Sequence, residues 1–338
     1  MPSQEKTMMS AAVVGAGLMG RWHADAIRRA GVRLAAVVDP DEERAAALAK
    51  RHSPAQIYHC LEDALREIHP TVVHLCTPAA LHRQQAEEAL KAGAHLFVEK
   101  PLAQTLEDTQ EIFLLAEQNK LLVCPVHQFI FQDGVQRLQA WLPEAGNISQ
   151  ISFMIRSAGG AGFDSAAQDA LVADILPHPL SLLQVLLPGS LESNWSVSRP
   201  APGELRVLGT HRQDSPVGVG LAIEISLHAR PTQNGLFIAA QKATLIADLF
   251  HGFAFRQPGT VSHTQKIIQP FEASLLQFKV AASNLVVRLL NNESAYPGLR
   301  RLVSLFYHSL STGGIPPIPV QDSLAVARAR QVILASST

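Results

Sequence analysis

Short apolar runs alternate with amphipathic segments through the first third of the chain. The apolar runs predict β-strands at residues 11–15, 32–39, 71–77, 95–98 and 121–126. The amphipathic segments repeat with the period of an α-helix and predict helices at residues 18–30, 41–51, 78–92 and 105–118. Near-continuous apolar strands separated by helices indicate a parallel sheet that is covered on both faces. Because crossovers between parallel strands are right-handed, we expect a doubly wound α/β fold.

Beyond residue 126 the pattern changes from alternating to grouped elements. Strand-like runs follow one another without intervening helices, for example at residues 148–156, 218–228, 235–240 and 243–249. Helices are predicted at residues 131–142, 180–187, 273–290, 298–311 and 322–334. Grouped strands are typical of a mostly antiparallel sheet. We therefore predict two domains, a doubly wound domain over residues 1–126 and an α+β domain over residues 127–338.

The composition narrows the classes of function. Of the 338 residues, 47% are hydrophobic and 17% are charged, which argues against long disordered tracts. The net charge of -1, without a basic cluster, argues against nucleic acid and anionic membranes as partners. No apolar segment approaches the ~20 residues that span a bilayer, so we expect a cytoplasmic protein. The cysteines Cys60, Cys76 and Cys124 lack metal-ligand spacing, so we expect reduced thiols and no metal.

A glycine-rich turn follows the first predicted strand. Residues 15–20 read Gly-Ala-Gly-Leu-Met-Gly, a G-x-G-x-x-G sequence between a strand and a helix. Gly15 permits the tight turn, Gly17 lets the backbone approach a pyrophosphate, and Gly20 lets the helix pack closely against the strand. The N–H groups at the start of the helix would bind the phosphates. The turn, including Leu18 and Met19, is therefore predicted to bind a dinucleotide in a Rossmann-type domain.

An acidic residue ends the second predicted strand. Asp39 lies 19 residues beyond Gly20, where a carboxylate can accept hydrogen bonds from the hydroxyls of an adenosine ribose. A carboxylate at this place repels a 2′-phosphate, so NAD is favoured over NADP. Two alternatives stay open, namely that Asp39 caps the following helix and that Arg44 pairs with the phosphate of NADP.

Three further fragments carry a family resemblance. They are Thr-Pro…His at residues 77–82, Glu-Lys-Pro at residues 99–101 and Asp-x-x-x-His at residues 174–178. With the glycine-rich turn, they make the chain resemble the glucose–fructose oxidoreductase / inositol dehydrogenase / MocA (Gfo/Idh/MocA) family over nearly its full length. The resemblance implies a large, open second sheet and an NAD(P)-dependent oxidoreductase that transfers a hydride between the nicotinamide and a secondary alcohol or ketone of a sugar, cyclitol or similar small molecule. It also implies a homodimer or homotetramer formed through that sheet.

The resemblance implies roles for individual residues. Lys100, followed by an often cis Pro101, would lie beside the nicotinamide and the substrate hydroxyl as proton carrier and electrostatic anchor. His178 would be the principal general acid/base, and Asp174 would bind substrate or orient the proton relay. Lysine and histidine suit these roles because the carbinol proton must be accepted by a base, and the reverse reaction needs a donor. The expected cofactor lining also includes Thr77, Pro78, His82 and Glu99.

Departures from the family pattern keep other functions open. Leu176 stands where the family has glycine, and it is expected to crowd a substrate packed there. Pro177 and Pro179 flank His178, which predicts a helix that begins near Pro177, with Asp174 in the preceding turn. The alternatives are a catalytically silent dinucleotide-binding sensor or regulatory protein, and an imine or enone reductase of the same family.

The segment after the last strand of the first domain also differs from the family, where an arginine-containing stretch is common. His127 and Gln128 are candidate substrate contacts here. Phe129 and Phe131 indicate an apolar pocket or core packing, and we favour core packing. Among the other histidines, His23 is expected to pack near the cofactor turn or to face solvent, and His74 is given no function.

Overall fold

The chain divides into two compact units. A computed structural model describes residues 9–52, 55–212, 218–259, 262–293 and 295–336. The first unit combines Met1–His127 with Leu299–Ala327, and the second combines Gln128–Gly298 with Arg328–Thr338. Each unit is thus assembled from two separate stretches of the sequence.

The first unit contains a parallel β-sheet. Its strands among the described residues are β1 (Ser10–Val14), β2 (Arg33–Val38), β3 (Gln56–Tyr58), β4 (Val72–Leu75), β5 (His95–Val98) and β6 (Val123–Pro125). The order in the sheet is β3-β2-β1-β4-β5-β6, and all neighbouring strands are parallel. The strands alternate with helices α1 (Leu18–Arg29), α2 (Glu42–Arg51), α3 (Leu61–Ile68), α4 (Ala79–Lys91) and α5 (Leu106–Gln118). The predicted doubly wound fold is confirmed.

The strands of this sheet are short, and all except the edge strand β3 are almost entirely buried. Residues 11–14 of β1 are at most 2% exposed, and Val73, Leu75, Leu96 and Val98 are fully buried. Side chains on both faces are apolar, which is the pattern of a sheet packed on both sides. Strand β3 was not predicted, because its sequence Gln-Ile-Tyr is too short and too polar to form an apolar run.

The second unit contains a larger, mixed sheet. Its strands among the described residues are β7 (Ile148–Arg156), β8 (Trp195–Ser198), β9 (Glu204–His211), β10 (Val219–Ser226), β11 (Gln233–Ala240), β12 (Ala243–Asp248) and β13 (Phe253–Pro258). Their order is β13-β12-β11-β7-β10-β9-β8, with β7 and β10 parallel and the other pairs antiparallel. The unit also has helices α6 (Asp133–Ala145), α7 (Ser165–Ile175), α8 (Pro177–Leu186) and α9 (His263–Leu290). The predicted mostly antiparallel sheet is confirmed, whereas α7 was not predicted and α9 begins ten residues earlier than expected.

One face of this second sheet is packed and the other is open. Along β10, buried apolar residues alternate with small or polar residues that are partly or fully exposed. This period of two is that of a sheet with one covered face. The open face carries a row across neighbouring strands in which Phe237 pairs with Ser152, Ser152 with Ala222 and Ala222 with Leu208. Leu208 and Phe237 on this row are 54% and 37% exposed.

Two helices complete the chain, α10 (Leu299–Thr312) and α11 (Val320–Ala335). Helix α10 belongs to the first unit and packs against α1. Its buried side chains include Leu302, Val303, Phe306 and Tyr307. The first unit therefore depends on a helix that lies far from its strands in the sequence.

Two helical stretches of the described residues are long and apolar enough to cross a bilayer. They are Ser165–Leu186, with mean hydropathy 1.2 and about half of its apolar part buried, and Ile267–Leu290, with mean hydropathy 1.3 and none buried. This differs from the expectation that no segment approaches such a length. Only their length and composition suggest that these stretches could cross a membrane. A helix packed inside a globular protein can have the same length and composition.

Candidate functional site

The turn between β1 and α1 is built from glycines because side chains do not fit at two of its positions. Gly15 has a φ of +94°, and a Cβ there would lie 2.7 Å from the carbonyl oxygen of Cys76. A Cβ on Gly20 would overlap the carbonyl oxygen of Gly15. At Gly17 a Cβ would meet no atom of the described residues within 4 Å. The fold therefore requires Gly15 and Gly20, whereas Gly17 borders open space.

The start of α1 is suited to an anion. Gly17 is the N-cap of the helix, where no side chain accepts from the first N–H groups, and the first turn has no acidic residue. These N–H groups carry the positive end of the helix dipole. A diphosphate is the ligand that such a glycine-lined helix start binds in dinucleotide-binding folds.

Asp39, after the end of β2, holds this turn in place. Its Oδ2 accepts a hydrogen bond from the N–H of Ala16 at 2.7 Å, and its Oδ1 accepts one from the N–H of Asp41 at 2.9 Å. Helix α2 is capped by Asp41, whose Oδ1 accepts from the N–H of Arg44 at 3.0 Å. The alternative that Asp39 caps α2 was therefore wrong, since Asp41 fills that position. Asp39 instead joins the two strand ends that a dinucleotide would contact.

His82 joins the Thr-Pro loop to the Glu-Lys-Pro loop. It lies within α4, 1% exposed, with Nδ1 2.9 Å from the carbonyl oxygen of Pro101 and Nε2 2.9 Å from that of Thr77. The Thr77 hydroxyl donates to Oε1 of Gln85 at 2.6 Å. The Lys100–Pro101 bond is cis, as the resemblance implies. His82 therefore positions the two loops through backbone carbonyl groups.

A row of buried polar side chains lies behind Glu99. Oε1 of Glu99 is 3.1 Å from Nε2 of His23, and Nδ1 of His23 is 3.1 Å from Nδ1 of His74. Nε2 of His74 is 2.8 Å from the hydroxyl of Tyr307 on α10. Oε2 of Glu99 accepts from the backbone N–H of Lys100 at 3.2 Å. These contacts tie the Glu-Lys-Pro loop to α1, β4 and α10.

The pKa values of these groups indicate which atoms carry protons. Burial alone would raise the pKa of Glu99, but the hydrogen bond from His23 and the positive charge of Lys100 hold it below its usual range. Burial, with a smaller contribution from His23, holds the pKa of His74 well below its usual range. Burial raises the pKa of Tyr307 well above its usual range. At neutral pH, Glu99 is therefore ionised, and His74 and Tyr307 are uncharged.

One set of donors satisfies every contact in the row. Tyr307 donates its O–H to Nε2 of His74, Nδ1–H of His74 donates to His23, and Nε2–H of His23 donates to the Glu99 carboxylate. Every donor then points toward Glu99, and each bond polarises the next. The roles of His74 and Tyr307 were not predicted, and the alternative that His23 faces solvent was wrong because His23 is fully buried. Neither His74 nor Tyr307 lies in a recognisable motif, so the sequence carried no signal for them.

In the second unit, His178 lies against an aromatic ring. Its imidazole stacks on Phe129, with ring centroids 4.3 Å apart and ring planes 17° from parallel. The carbonyl oxygen of His178 accepts from the hydroxyl of Ser181 at 2.9 Å. Phe129 is half-buried rather than a core residue, so its assignment to core packing was wrong. The stacking fixes the orientation of the imidazole.

Asp174 and His178 lie on a continuous helical path. Asp174 lies in the last turn of α7, directly before α8, and α8 begins at Pro177 as predicted. Leu176 between them has φ -54° and ψ -35°, which are helical values. Residues four apart on such a path share one face. The Leu176 side chain is fully buried, so it forms part of the packed interior and the expectation that it projects toward a substrate was wrong.

The remaining predicted residues contribute buried polar atoms. His127 in the first unit and Gln128 in the second are each 4% exposed. Nδ1 of His127 and Oε1 of Gln128 have no hydrogen-bond partner among the described residues. Buried atoms of this kind are usually satisfied, so both are available to a ligand. Within the described residues, no group of three or more His, Cys, Asp or Glu side chains is arranged to hold a metal ion.

The glycine turn permits a test that separates folding from cofactor binding. Gly17→Ala should leave the melting temperature nearly unchanged, because the added Cβ meets no described atom. It should weaken NAD binding roughly tenfold or more, because the methyl group keeps the backbone from the pyrophosphate. Gly20→Ala should instead destabilise the protein by about 1–3 kcal/mol, because its Cβ overlaps Gly15. Calorimetric NAD titration and thermal unfolding measure the two effects, and equal NAD affinity in Gly17→Ala and the wild type would contradict this role.

Acid should destabilise the first unit through His127. Burial lowers the pKa of His127 from 6.5 to about 4. The charge of Glu99 raises this pKa slightly, and the charge of Lys100 lowers it slightly. Since the unfolded chain binds a proton at His127 below pH 6.5 and the folded chain does not, stability is present above that pH. It is lost at about 1.4 kcal/mol per pH unit as the pH falls toward about 4. Burial of His74 acts in the same direction.

Denaturant unfolding between pH 7 and pH 4.5 measures this effect. His127→Gln should flatten the loss of stability with falling pH, and His308→Gln, which changes an exposed histidine of α10, should not. An identical pH dependence in both variants would rule out His127 as its source.

Known proteins resemble this chain in sequence over part of its length. The family model described as "Oxidoreductase family, NAD-binding Rossmann fold" (GFO_IDH_MocA) matches residues 9–127. A 1,5-anhydro-D-fructose reductase of Ensifer adhaerens is 33% identical over 56% of this chain and 50% of its own length. An inositol 2-dehydrogenase of Corynebacterium glutamicum is 35% identical over 57% of this chain and 58% of its own length. The chain thus matches little more than half of the length of these curated relatives.

Solved structures resemble the fold over nearly the whole chain. The WlbA dehydrogenase from Bordetella pertussis, in complex with NADH and UDP-GlcNAcA, has a TM-score of 0.76 at 16% identity, with 97% of this chain and 95% of that chain covered. GenD2 from gentamicin A biosynthesis, in complex with NAD, has a TM-score of 0.74 at 20% identity, with coverage of 97% and 94%. At these identities the likeness concerns the fold. The match at residues 9–127 covers the glycine turn, Asp39 and the cis-proline loop, so this part of the chain is similar to the NAD-binding Rossmann domain of the Gfo/Idh/MocA oxidoreductases.

Proposed function

We propose that the protein is an NAD-dependent oxidoreductase that transfers a hydride between the nicotinamide and a secondary alcohol or ketone of a sugar or cyclitol. The observation that carries this proposal is the junction of three elements at one edge of the first sheet. The glycine turn follows β1, Asp39 follows β2, and the Glu99-Lys100-Pro101 loop follows β5. Ligands of doubly wound sheets bind at the carboxyl ends of the strands. The relatives named as sugar and inositol oxidoreductases support the substrate class.

The residues of the first unit suit NAD better than NADP. Gly17 and the uncapped start of α1 would hold the diphosphate, and the Asp39 carboxylate would hold the ribose diol. Arg44, the cation that could meet a 2′-phosphate, already pairs with Asp41, with Nε 2.6 Å from Oδ2. When bound, the nicotinamide accepts or gives the hydride.

Lys100 is proposed to serve the oxygen of the reacting carbon. Its backbone is held on one side by the Glu99 carboxylate and on the other by the cis bond to Pro101. An ammonium group at Nζ stabilises a developing alkoxide and hydrogen-bonds a substrate hydroxyl. The ionised Glu99 nearby compensates for part of the charge of Lys100.

His178 is proposed as the general acid/base, with Asp174 orienting it. Stacking on Phe129 holds the imidazole plane, and the shared helical face brings Asp174 to the same side. An imidazole in this position accepts the hydroxyl proton during oxidation and returns it during reduction. His127 and Gln128 are proposed to bind substrate hydroxyls through their buried, unpartnered atoms.

Activity measurements on two variants test these roles. Lys100→Met and His178→Gln should each lower turnover by about 100-fold or more, because the first removes the cation that stabilises the alkoxide and the second removes the general acid/base. NAD affinity in His178→Gln should stay near the wild-type value. Lys91→Met, at an exposed lysine of α4 that pairs with Glu87, is the matched control and should retain full activity. Absorbance of reduced nicotinamide with a panel of sugars, cyclitols and ketones measures turnover.

The panel also discriminates between the candidate functions. Unchanged turnover in Lys100→Met would remove Lys100 from the mechanism. Tight NAD binding without hydride transfer to any alcohol, ketone or imine would favour a catalytically silent sensor. Reduction of imines alone would favour the imine reductase.

We also propose a cytoplasmic homodimer or homotetramer that forms through the open face of the second sheet. The three cysteines are free thiols, as expected in a reducing compartment. The open face carries Phe237 and Leu208, whose exposed apolar surface a second copy would cover.

Sedimentation measures the oligomer. Phe237→Glu should shift the protein toward a smaller species, because it places charge at the centre of that face. Phe163→Glu changes an exposed aromatic residue outside the sheet and should leave the mass unchanged. A wild-type monomer at micromolar concentration would contradict the proposed assembly.

A further inference from the structure

Helix α9 is apolar on its surface. Over Ile267–Leu290 its mean hydropathy is 1.3, and none of that stretch is buried. Phe271, Phe278 and Leu289 are 77%, 69% and 68% exposed. A contiguous apolar surface of this kind on a folded chain marks a site of association.

One side of α9 is attached to its own unit. Half-buried residues recur along it at Ala273, Leu276, Val280 and Asn284, and the helix packs against β13. The side-chain amide of Asn284 and the guanidinium of Arg288 each donate to the carbonyl oxygen of His251 at 3.0 Å. The helix is therefore held to the sheet along this side, and its apolar surface lies on the other.

The exposed side has the spacing of a coiled-coil seam. Its residues recur at alternating intervals of three and four, and they are Ile268, Phe271, Leu275, Phe278, Ala282, Leu285 and Leu289. Alternating intervals of three and four place side chains in the a and d positions of a heptad, which pack into the grooves of a second helix. Among the described residues, no second helix covers this seam, and its side chains are exposed.

We propose that α9 of a second copy of this chain covers the seam, in an antiparallel pair around a two-fold axis. The register that pairs a with d positions sets the bulky Phe271 against the partner's small Ala282, Leu275 against the partner's Phe278, and Ile268 against the partner's Leu285. Large residues opposite small ones fill a layer without a void. Because the axis is two-fold, each of these contacts occurs twice.

The charges beside the seam agree with the antiparallel register. Glu272 and Lys279 each follow a d residue, and neither forms an ion pair within the described part of its own chain. In the proposed register, Glu272 and the partner's Lys279 are about 3 Å apart along the helix axis, on the same flank. A parallel pair would instead set Glu272 against the partner's Ile267 and Lys279 against the partner's Ser274, so neither charge would meet an opposite one. The flanking charges therefore favour a second, antiparallel copy.

The same helix fits a lipid surface less well. Helices that lie on membranes carry many lysine and arginine residues on the polar face. From Ile267 to Leu290, α9 has only Lys279 and Arg288 as basic residues, Arg288 is bonded to His251, and Glu272 flanks the apolar stripe. Its attachment to β13 also opposes insertion across a bilayer.

Cysteine cross-linking tests the pairing and its direction. In a Cys60→Ser background, which removes the exposed thiol, Phe271→Cys and Ala282→Cys are prepared as separate variants. Their mixture should form a disulfide-linked dimer on mild oxidation, because these positions oppose each other. Each variant alone should remain uncross-linked, because its two copies lie about 16 Å apart along the axis. Disulfides within each separate variant would indicate a parallel pair and overturn the proposal, as would their absence from the mixture.

Charge reversal provides an independent measurement. Glu272→Lys and Lys279→Glu should each weaken self-association roughly tenfold, and the double variant should restore it, because two flanking pairs are reversed and then re-formed. Unchanged self-association in both single variants, or binding of a monomer to phosphatidylserine-containing vesicles, would overturn the proposal. Leu208→Glu, on strand β9 of the open face, should leave the cross-link intact, so failure of the sheet interface and failure of the α9 pair are distinguishable.

Discussion

The hydrogen bond from the Ala16 amide to the Asp39 carboxylate joins the ends of two neighbouring strands. A buried carboxylate needs donors, and a tight turn leaves amide groups that need acceptors. Each group therefore satisfies the other, and the glycine turn keeps its shape because an acidic side chain follows β2. The shape of the turn depends on this carboxylate, and the proposed cofactor site uses the same group.

A second buried carboxylate organises the neighbouring loop. Glu99 keeps its charge inside the protein because His23 donates to it from one side and the amide of Lys100 from the other. The donors behind His23 extend this arrangement through His74 to Tyr307. The negative charge of Glu99 is thus stabilised by hydrogen bonds from uncharged donors inside the protein rather than by bulk water.

The sequence predicted what is local and missed what is assembled at a distance. Strand β1 and the glycine turn were recognisable because apolar periodicity and backbone conformation are encoded in neighbouring residues. The contacts of His74 with His23 and Tyr307 join three elements, and no single segment records such a contact. Leu176 illustrates the same limit, because a substitution that suggests crowding in the sequence is buried in the structure. The stacking of Phe129 on His178 likewise required coordinates, since an isolated phenylalanine is more often part of a core.

Helix α10 lies nearly two hundred residues beyond the strands that it supports, yet it fills the interior beside α1 and supplies the phenol at the end of the polar row. A gene segment that ended at His127 would encode the whole parallel sheet and still leave α1 without its cover and His74 without its donor. The first unit therefore cannot be transferred as one continuous stretch of sequence, because residues 299–327 belong to it as well.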